Sequence, residues 1–289
     1  MTQKELVLPF TLNDAEVNGR IVKLDIALDT ILNQHQYPDA IATILGELLI
    51  IASLIGSQLK DDALLSLQLQ IKDTTQYIVA DFQSPGSIRS YAQCNDASYE
   101  EILDQSILIV TIDRKNNQRY QGMVDVSNLS ISAAMETYFY QSEQINTSIK
   151  LKLGKILLPQ TKESWCGGGI MIQRLPLKSN QDVEKDSWNE AKLYFSTLRD
   201  DELLDPNLPL ETLLYSVYNE MEVKIYEPIA IKHQCRCSRE RVEKILESLG
   251  FDEVISIMIN DKISVNCQFC NQNQDFTHED INKMFEISS

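Results

Sequence analysis

Basic residues and histidines are scarce in this sequence of 289 residues. It has 26 lysines and arginines against 42 aspartates and glutamates, only three histidines, and a formal net charge of −16. A protein that binds the phosphate backbone of nucleic acids needs a positive surface, and so does a protein that attaches to anionic lipids. The charge balance therefore predicts that neither nucleic acid nor a membrane is a partner.

Long apolar runs and targeting signals are also lacking. The first five residues are polar, without the apolar centre of a secretion signal. The most apolar stretch, residues 41–56, contains Glu47 and is shorter than a membrane span requires, so it predicts a buried helix that begins after Pro38-Asp39. We therefore expect a cytoplasmic protein. In that reducing compartment, clustered cysteines more often bind metal or do redox chemistry than form structural disulfides.

The known sequence motifs of catalysis are missing as well. The sequence has no nucleophile elbow, no phosphate-binding loop and no dinucleotide fingerprint. Its glycine run, Gly167-Gly168-Gly169, lacks the strand-to-helix context of a phosphate site and predicts a tight turn into the following strand. The three histidines form no recognisable triad. We therefore expect a protein that is not an enzyme.

Alternation of apolar and polar residues indicates a fold rich in strands. Residues 65–71 alternate without a fault, which is typical of a half-buried strand. Helices are expected at residues 40–60 and 130–141. Because strand follows strand without regular helical crossovers, the predicted fold class is α+β with antiparallel sheet. Further strands are predicted at residues 77–82, 106–113, 120–126, 149–153 and 170–175.

The length and the charge distribution predict three regions. We expect a mixed α/antiparallel-β core domain over residues 1–177. Residues 178–227 carry twelve acidic and five basic residues and predict a helical acidic linker. This linker is either simply solvated or metastable, because repulsion between like charges weakens a helix. Residues 228–289 predict a small domain in which Ser238 caps a helix that ends at Gly250.

The sequence concentrates four of its six cysteines in that small domain. They form two close pairs, Cys235-Arg-Cys237 and, after twenty-nine residues, Cys267-Gln-Phe-Cys270. Two such pairs can offer the four sulfurs that a tetrahedral Zn²⁺ site requires, and an iron–sulfur cluster is the minor alternative. Four sulfurs leave no open position for a catalytic water. A domain of this size buries little apolar surface, so a structural metal would supply the missing free energy of folding.

The one-residue gap of the first pair leaves two interpretations open. The site is either a permanent zinc staple, or it holds zinc when reduced and forms disulfides when oxidised, because two thiols so close in sequence can oxidise locally. Arg236, Arg239 and Arg241 would raise the local positive charge and favour thiolate. His233 and His278 lie near the cysteines in sequence and are expected to be bystanders.

Three stretches of the chain resemble one protein family. The cysteine pattern is similar to the C-terminal signature of the 33 kDa chaperonin family, the redox-regulated heat-shock holdases. Residues 138–144, YFYQSEQ, resemble the family's Y-F-x-x-S-E-Q stretch, and residues 168–176, GGIMIQRLP, resemble its G-G-x-x-x-Q-x-L-P stretch. The chain departs from the family at Lys72-Asp73-Thr74 and at Asp104-Gln105-Ser106, where the family usually has glycines. The resemblance covers nearly the whole chain.

The resemblance implies a chaperone that binds unfolding proteins during oxidative stress and prevents their aggregation without ATP. It implies an inactive reduced form with one Zn²⁺ held by Cys235, Cys237, Cys267 and Cys270. Oxidation is implied to form the disulfides Cys235–Cys237 and Cys267–Cys270, to release zinc, to unfold the last domain and to destabilise the linker. A client-binding surface on the core is then exposed, commonly in a homodimer. The residues themselves leave open a zinc-stapled regulator that binds nucleic acid, and a thiol–disulfide oxidoreductase.

Overall fold

The chain folds into two compact units, residues 1–233 and residues 234–289. The first unit holds two six-stranded sheets, and the second holds a two-stranded sheet and both cysteine pairs. The computed structural model describes residues 5–13, 16–115, 118–158, 162–175 and 187–285.

The elements of the first unit follow one another as strands with a few helices between them. The strands are β1 (Leu6–Leu12), β2 (Val17–Leu24), β3 (Leu64–Ile71), β4 (Tyr77–Gln83), β5 (Ser87–Gln93), β6 (Ser106–Asp113), β7 (Arg119–Asp125), β8 (Thr147–Leu158), β9 (Lys162–Arg174), β10 (Val223–Ile225), β11 (Ile229–Ala230) and β12 (Lys232–His233). The helices are α1 (Ile26–Asn33), α2 (Asp39–Gly56), α3 (Tyr99–Asp104), α4 (Ile131–Tyr138), α5 (Ser187–Thr197), α6 (Asp200–Leu204) and α7 (Leu210–Val217). A π-helical turn, Phe139–Glu143, follows α4 directly.

Both sheets of the first unit are built almost entirely from antiparallel pairs. The first sheet has the order β10-β1-β2-β9-β8, with β11 also on β1, and the second has the order β12-β5-β4-β3-β6-β7. Among the described strands, only β12 and β5 run parallel. The predicted α+β class with antiparallel sheet is confirmed. The strands predicted at residues 149–153 and 170–175 are parts of β8 and β9, which form a longer hairpin.

Helix α2 is the central element of the first unit. It contacts strands of both sheets, and fourteen of its eighteen residues are buried. By length and composition α2 is the one described helix that could cross a membrane, but its burial inside the unit is that of a core helix. The predicted end at residue 60 is wrong. Bonds from the Gln58 N–H to the Ile55 carbonyl (3.0 Å) and from the Leu59 N–H to the Gly56 carbonyl (2.9 Å) replace the helical pattern with a tighter turn.

The glycine run Gly167-Gly168-Gly169 lies inside β9, so the predicted tight turn is wrong. A Cβ atom at Gly167 or Gly169 would lie 2.7 or 2.6 Å from the side chain of Ile50 in α2. A Cβ atom at Gly168, on the opposite face of the strand, would lie 2.6 Å from the carbonyl oxygen of Leu203 in α6. The glycines are required because a helix approaches each face of this strand too closely for any side chain.

The described part of the predicted acidic linker packs on the first sheet. Helices α5, α6 and α7 share an apolar core with β1, β2 and β9, and this core places residues 187–233 in the same compact unit as the sheets. Residues 178–186 lie outside the described residues. The division of the chain at residues 177 and 227 stays a prediction. The shared core includes the buried side chains of Leu8, Phe10, Ile21, Leu203, Leu213, Leu214 and Tyr218.

Lysines of the first sheet contact this acidic segment. The Lys23 ammonium donates to the carbonyl oxygens of Asp205 (2.6 Å) and Leu208 (2.7 Å), which follow α6. The Lys152 ammonium lies 3.2 Å from the Asp200 carboxylate at the start of α6. An ammonium group neutralises a nearby carboxylate and is attracted to the partial negative charge of carbonyl oxygens that follow a helix. These contacts therefore offset part of the repulsion between the acidic residues of the segment.

The second unit is small and follows a different plan. Ser238 Oγ accepts the N–H of Arg241 (3.3 Å) at the start of the first helix, and Gly250, with φ of +88°, ends it, as predicted. Its elements are α8 (Arg239–Leu249), α9 (Phe251–Ser256), β13 (Lys262–Asn266), β14 (Asn273–Thr277) and α10 (His278–Met284). The buried apolar core of the unit consists of Leu246, Val254, Ile263, Phe276 and Ile281.

Candidate metal centre

The two cysteine pairs of the second unit bring four sulfur atoms together. All four Sγ atoms lie within 4.8 Å of one another. Cys235 Sγ is 3.7 Å from Cys267 Sγ, and Cys237 Sγ is 3.4 Å from Cys270 Sγ, so each thiol of one pair faces a thiol of the other. In the part of the chain that the structure describes, this is the one group of three or more His, Cys, Asp or Glu side chains placed to hold a metal ion.

The sulfur separations fit a tetrahedral site. A Zn–S bond of about 2.3 Å corresponds to sulfur atoms about 3.8 Å apart at the corners of a tetrahedron. The closest sulfur pairs, at 3.7 and 3.4 Å, are near that distance, and soft thiolates are the ligands that zinc accepts readily. The four cysteines are therefore positioned to bind one metal ion.

Local backbone turns place the second cysteine pair. The loop between β13 and β14 is closed by bonds from the Cys267 N–H to the Gln272 carbonyl (2.9 Å) and from the Asn271 N–H to the Cys267 carbonyl (2.7 Å). Asn271 has φ of +55°, in the left-handed region that asparagine tolerates. The Gln272 N–H also donates to the Cys270 sulfur. An asparagine directly after C-x-x-C is the sequence signal that marks this turn.

The clustered thiols alter one another's ionisation. Burial opposes ionisation of Cys235, but hydrogen bonds from the Cys237 N–H and from the neighbouring thiols outweigh it and lower the pKa of Cys235 to about 7. Burial and the contact with the Cys270 thiol raise the pKa of Cys237, and burial raises the pKa of Cys270. Without a cation one thiol ionises readily while two neighbours resist, so four thiolates in this space require a bound cation.

Arg239 does not add free positive charge to the cluster, contrary to the prediction from its position in the sequence. Its guanidinium lies 3.3 Å from the Glu243 carboxylate and 3.1 Å from the Asp280 carboxylate, and it stacks 4.2 Å from the centre of the Phe276 ring. These contacts join α8, β14 and α10. The stacking on Phe276 was not predictable, because the two residues are far apart in sequence.

The neighbouring histidines lie in other places. His233 is the last residue of β12 in the first unit, where its Nε2 is 3.4 Å from the Gln34 amide, and burial lowers its pKa. His278 is the first residue of α10. Among the described residues, neither imidazole belongs to the group of side chains that surrounds the candidate metal position.

The remaining two cysteines belong to the first unit and are poorly reactive. Cys94 is half-buried and donates to the Asn95 carbonyl oxygen (3.3 Å), and burial raises its pKa. Cys166 is buried in β9 next to α6, and burial raises its pKa to about 11. A thiol with a raised pKa holds its proton at neutral pH and reacts slowly.

Solved structures share the fold of this chain. The crystal structure of a 33 kDa chaperonin from Thermotoga maritima aligns with a TM-score of 0.77 at 20% sequence identity. The alignment covers 98% of both chains. At this level of identity the comparison concerns the fold.

Sequence comparisons give the family. The chain is 32% identical to the 33 kDa chaperonin of Caulobacter vibrioides, with 93% of each chain covered, and 32% identical to that of Pseudomonas aeruginosa, with 96% of this chain and 93% of the relative covered. It is 30% identical to the 33 kDa chaperonin of Shewanella loihica, with 98% and 96% covered. The family model described as Hsp33 protein matches residues 5–277, which include all four clustered cysteines. The chain therefore belongs to the Hsp33 family of chaperones.

Proposed function

We propose that this protein is a redox-regulated, ATP-independent holdase that acts in the cytoplasm. It binds unfolding or oxidatively damaged proteins and prevents their aggregation. The observation that carries the proposal is a cluster of four cysteine thiols, none in a disulfide, in a unit whose apolar core has five fully or nearly buried side chains. The stability of such a unit depends on the state of its thiols, and a change in that state can therefore act as a signal.

In the reduced, inactive state, Cys235, Cys237, Cys267 and Cys270 hold one Zn²⁺ per chain. Bound zinc supplies folding free energy, on the order of 10–16 kcal/mol in isolated zinc-finger peptides. The four thiolates close the coordination sphere, so the site holds no water for hydrolysis. The role of the cysteines is therefore to keep the second unit folded.

Oxidation converts the four thiols into the disulfides Cys235–Cys237 and Cys267–Cys270. Each S–S bond forms as two thiolates give up two electrons to hydrogen peroxide, which takes up two protons from the solvent and is reduced to two molecules of water. Each chain thus consumes two peroxides. A disulfide sulfur carries no negative charge and ligates metal poorly, so the oxidised residues no longer hold the ion. The second unit then has only its small apolar core.

The described part of the acidic segment, residues 187–227, is the next region to lose order. It is attached to the first sheet by α6 and α7 and by exposed lysine contacts, which contribute little individually. Its release uncovers the apolar face that Leu8, Phe10 and Ile21 form on the first sheet. We propose this face as the client-binding surface of the oxidised form, which we expect to be a homodimer.

The experiment measures zinc release and chaperone activity on the same samples. Purified reduced protein is treated with hydrogen peroxide at mild heat, or with hypochlorous acid. A chromogenic chelator reports released zinc, and light scattering reports aggregation of a thermally unfolding client. We expect release of one zinc per chain together with the onset of aggregation suppression.

Two variants make the measurement specific. The double variant Cys235→Ser, Cys267→Ser loses one thiol from each pair and should no longer switch. The control variant Cys94→Ser removes a thiol outside the cluster and should switch normally. Suppression of aggregation by both redox states, with zinc retained, would contradict the proposal and favour a permanent structural zinc.

A further inference from the structure

The last strand of the second sheet has one open side. β7 pairs with β6, and among the described residues no strand pairs with its other edge. Two hydrogen bonds at the ends of the β6–β7 hairpin show which of its residue pairs are hydrogen-bonded to each other. The Arg114 N–H donates to the Gln118 carbonyl (3.1 Å), and the Val126 N–H donates to the Ser106 carbonyl (3.5 Å).

This alternation decides which backbone groups of β7 point outward. In an antiparallel pair every second residue bonds to the partner strand, so residues 120, 122 and 124 bond to β6. Arg119, Gln121 and Met123 therefore direct their N–H and C=O groups away from the sheet. Within the described part of the chain, no hydrogen bond reaches these outward backbone groups.

β8, an outer strand of the first sheet, is protected by features that β7 lacks. The outward N–H of Ile149 donates to the Glu136 carboxylate (2.6 Å), and β8 carries three lysines, Lys150, Lys152 and Lys155. Lysines and covered backbone groups are the usual protection of an edge strand against pairing with another chain. β7 contains neither lysine nor proline, and Met123 at its centre is 64% exposed.

A cavity adjoins one end of β7. It has a volume of about 380 Å³, and Tyr120 of β7 forms part of its wall. Leu59, Ile112 and Phe139 contribute apolar surface, and Arg114 lies at the β6–β7 turn. Phe139 begins the π-helical turn, so the motif at residues 138–144 forms one side of this cavity.

We propose that the open edge of β7 and this cavity form a strand-addition site for an extended apolar segment of an unfolded polypeptide. The segment pairs with the outward groups of Arg119, Gln121 and Met123, and one of its apolar side chains enters the cavity beside Tyr120. Outward donors and acceptors that repeat every second residue are matched only by another extended backbone. Folded proteins cover such backbone groups, whereas unfolded ones offer them. The choice of an unfolded polypeptide as the occupant rests on the proposed function.

Amide hydrogen exchange of the full-length protein tests the site residue by residue. The probe is carboxymethylated α-lactalbumin, which stays unfolded in solution. When it is bound, exchange at Gln121 and Met123 should slow at least tenfold, while residues 120, 122 and 124, already bonded to β6, should change little. We expect this pattern in the oxidised protein, the form to which the proposed function assigns client binding.

A matched pair of variants at Gln121 tests the contribution to affinity. Gln121→Pro removes an outward N–H without removing a bond to β6, and proline is tolerated on edge strands. Gln121→Thr keeps the N–H and serves as the control. We expect Gln121→Pro to weaken binding of carboxymethylated α-lactalbumin by the oxidised protein about tenfold, since it removes one backbone hydrogen bond, and Gln121→Thr to bind normally.

Further results distinguish the alternatives. Met123→Lys places a charge on the edge without changing the backbone, so it should also weaken binding of the probe. This variant tests the proposal if Gln121→Pro fails to fold. Unchanged exchange at residues 119–123 while the probe is bound elsewhere would overturn the proposal and leave the redox function intact. If Gln121→Pro dissociates the dimer and the probe gives no exchange protection at the edge, the edge binds a second copy of the chain. That result would also overturn the proposal. Absence of any redox-dependent holdase activity would instead contradict the proposed function.

Discussion

The two compact units bury apolar side chains on very different scales. In the first unit α2 lies among strands of two sheets, and a second apolar core forms on the far face of the first sheet. In the described part of the second unit only five buried side chains, Phe276 among them, form the apolar core, and the four sulfur atoms form a separate group. The first unit is therefore stabilised by apolar burial, whereas under the proposed function the stability of the second depends on the chemistry of its thiols.

This difference explains how one chain can respond to an oxidant without losing its whole fold. Oxidants act on thiolates, and the clustered cysteines are confined to the unit with little other support. The two cysteines of the first unit are shielded by burial, which raises the pKa of each. The following predictions test this contrast, from the largest expected effect to the smallest.

Removal of metal should show the largest difference in stability between the two units. A strong chelator acting on reduced protein should unfold residues 234–285, because the free energy lost is on the order of 10 kcal/mol. The first unit should stay folded. Hydrogen exchange with mass spectrometry should show fast exchange in the second unit and continued protection of β1 to β9. Full protection of the second unit after chelation would show that its apolar core is sufficient.

Truncation of Phe276 should destabilise the second unit alone. Phe276 is fully buried and supports the stacked guanidinium of Arg239, so Phe276→Ala should cost about 3–5 kcal/mol in that unit and weaken zinc binding. Phe10→Ala is the matched change in the first unit, where Phe10 is also fully buried. In thermal unfolding, Phe276→Ala should lower the transition temperature of the second unit only, and Phe10→Ala that of the first unit only. If either variant lowered the transition temperatures of both units, the two units would not be stabilised independently.

Addition of one methyl group at Gly168 should loosen α6 without unfolding the first unit. A Cβ atom there would lie 2.6 Å from the Leu203 carbonyl, so Gly168→Ala should cost about 1–3 kcal/mol in packing. The measurement is the alkylation rate of the neighbouring Cys166, which should rise. Gly154→Ala is the control, because its Cβ would meet only the flexible end of Leu204 at 3.3 Å. Equal alkylation rates in the two variants would contradict this account of the glycines.

The smallest effect is a pH dependence confined to the first unit. Burial raises the pKa of Glu5 from 4.5 to about 7, although its carboxylate accepts backbone N–H groups of Asp25 and Ala27. The folded state therefore keeps a proton that the unfolded state releases. Stability from this group is present below pH 4.5 and is lost as the pH rises to 7, by about 1 kcal/mol after allowance for solvent screening. Glu5→Gln should make the unfolding free energy of the first unit less dependent on pH and leave that of the second unit unchanged.

The candidate site was largely predictable from sequence because its ligands form two short local patterns. Two cysteines separated by one residue and two separated by two can each meet one ion with little help from the rest of the chain. Strands such as β3 were equally predictable, since alternation at period two is a local signal. The turn after β3 contains Asp73 with φ of +58°, a left-handed conformation that glycine adopts most readily and that aspartate tolerates.

Features that depend on distant neighbours were not predictable. The sequence around Gly168 has the local character of a turn, and only the approach of α2 and α6 explains why the strand lacks side chains. Acidic residues such as Asp200 suggested repulsion, whereas the compensating Lys152 comes from β8, far away in sequence. In both cases the decisive partner lies across the fold, so no pattern within a short window contains the information.

The short strands that end the first unit have a mechanical consequence. The chain leaves this unit through β10 and β11 on the first sheet and β12 on the second sheet, and each strand has only two or three paired residues. Under the proposed function, disorder that begins at residue 234 would spread toward the N-terminus in small steps, first releasing β12 from β5, then β11 and β10 from β1. Each step breaks a few bonds and costs little compared with unfolding of a whole sheet. Under the proposed function, the boundary between ordered and disordered chain moves in several small steps, and its position follows the dose of oxidant.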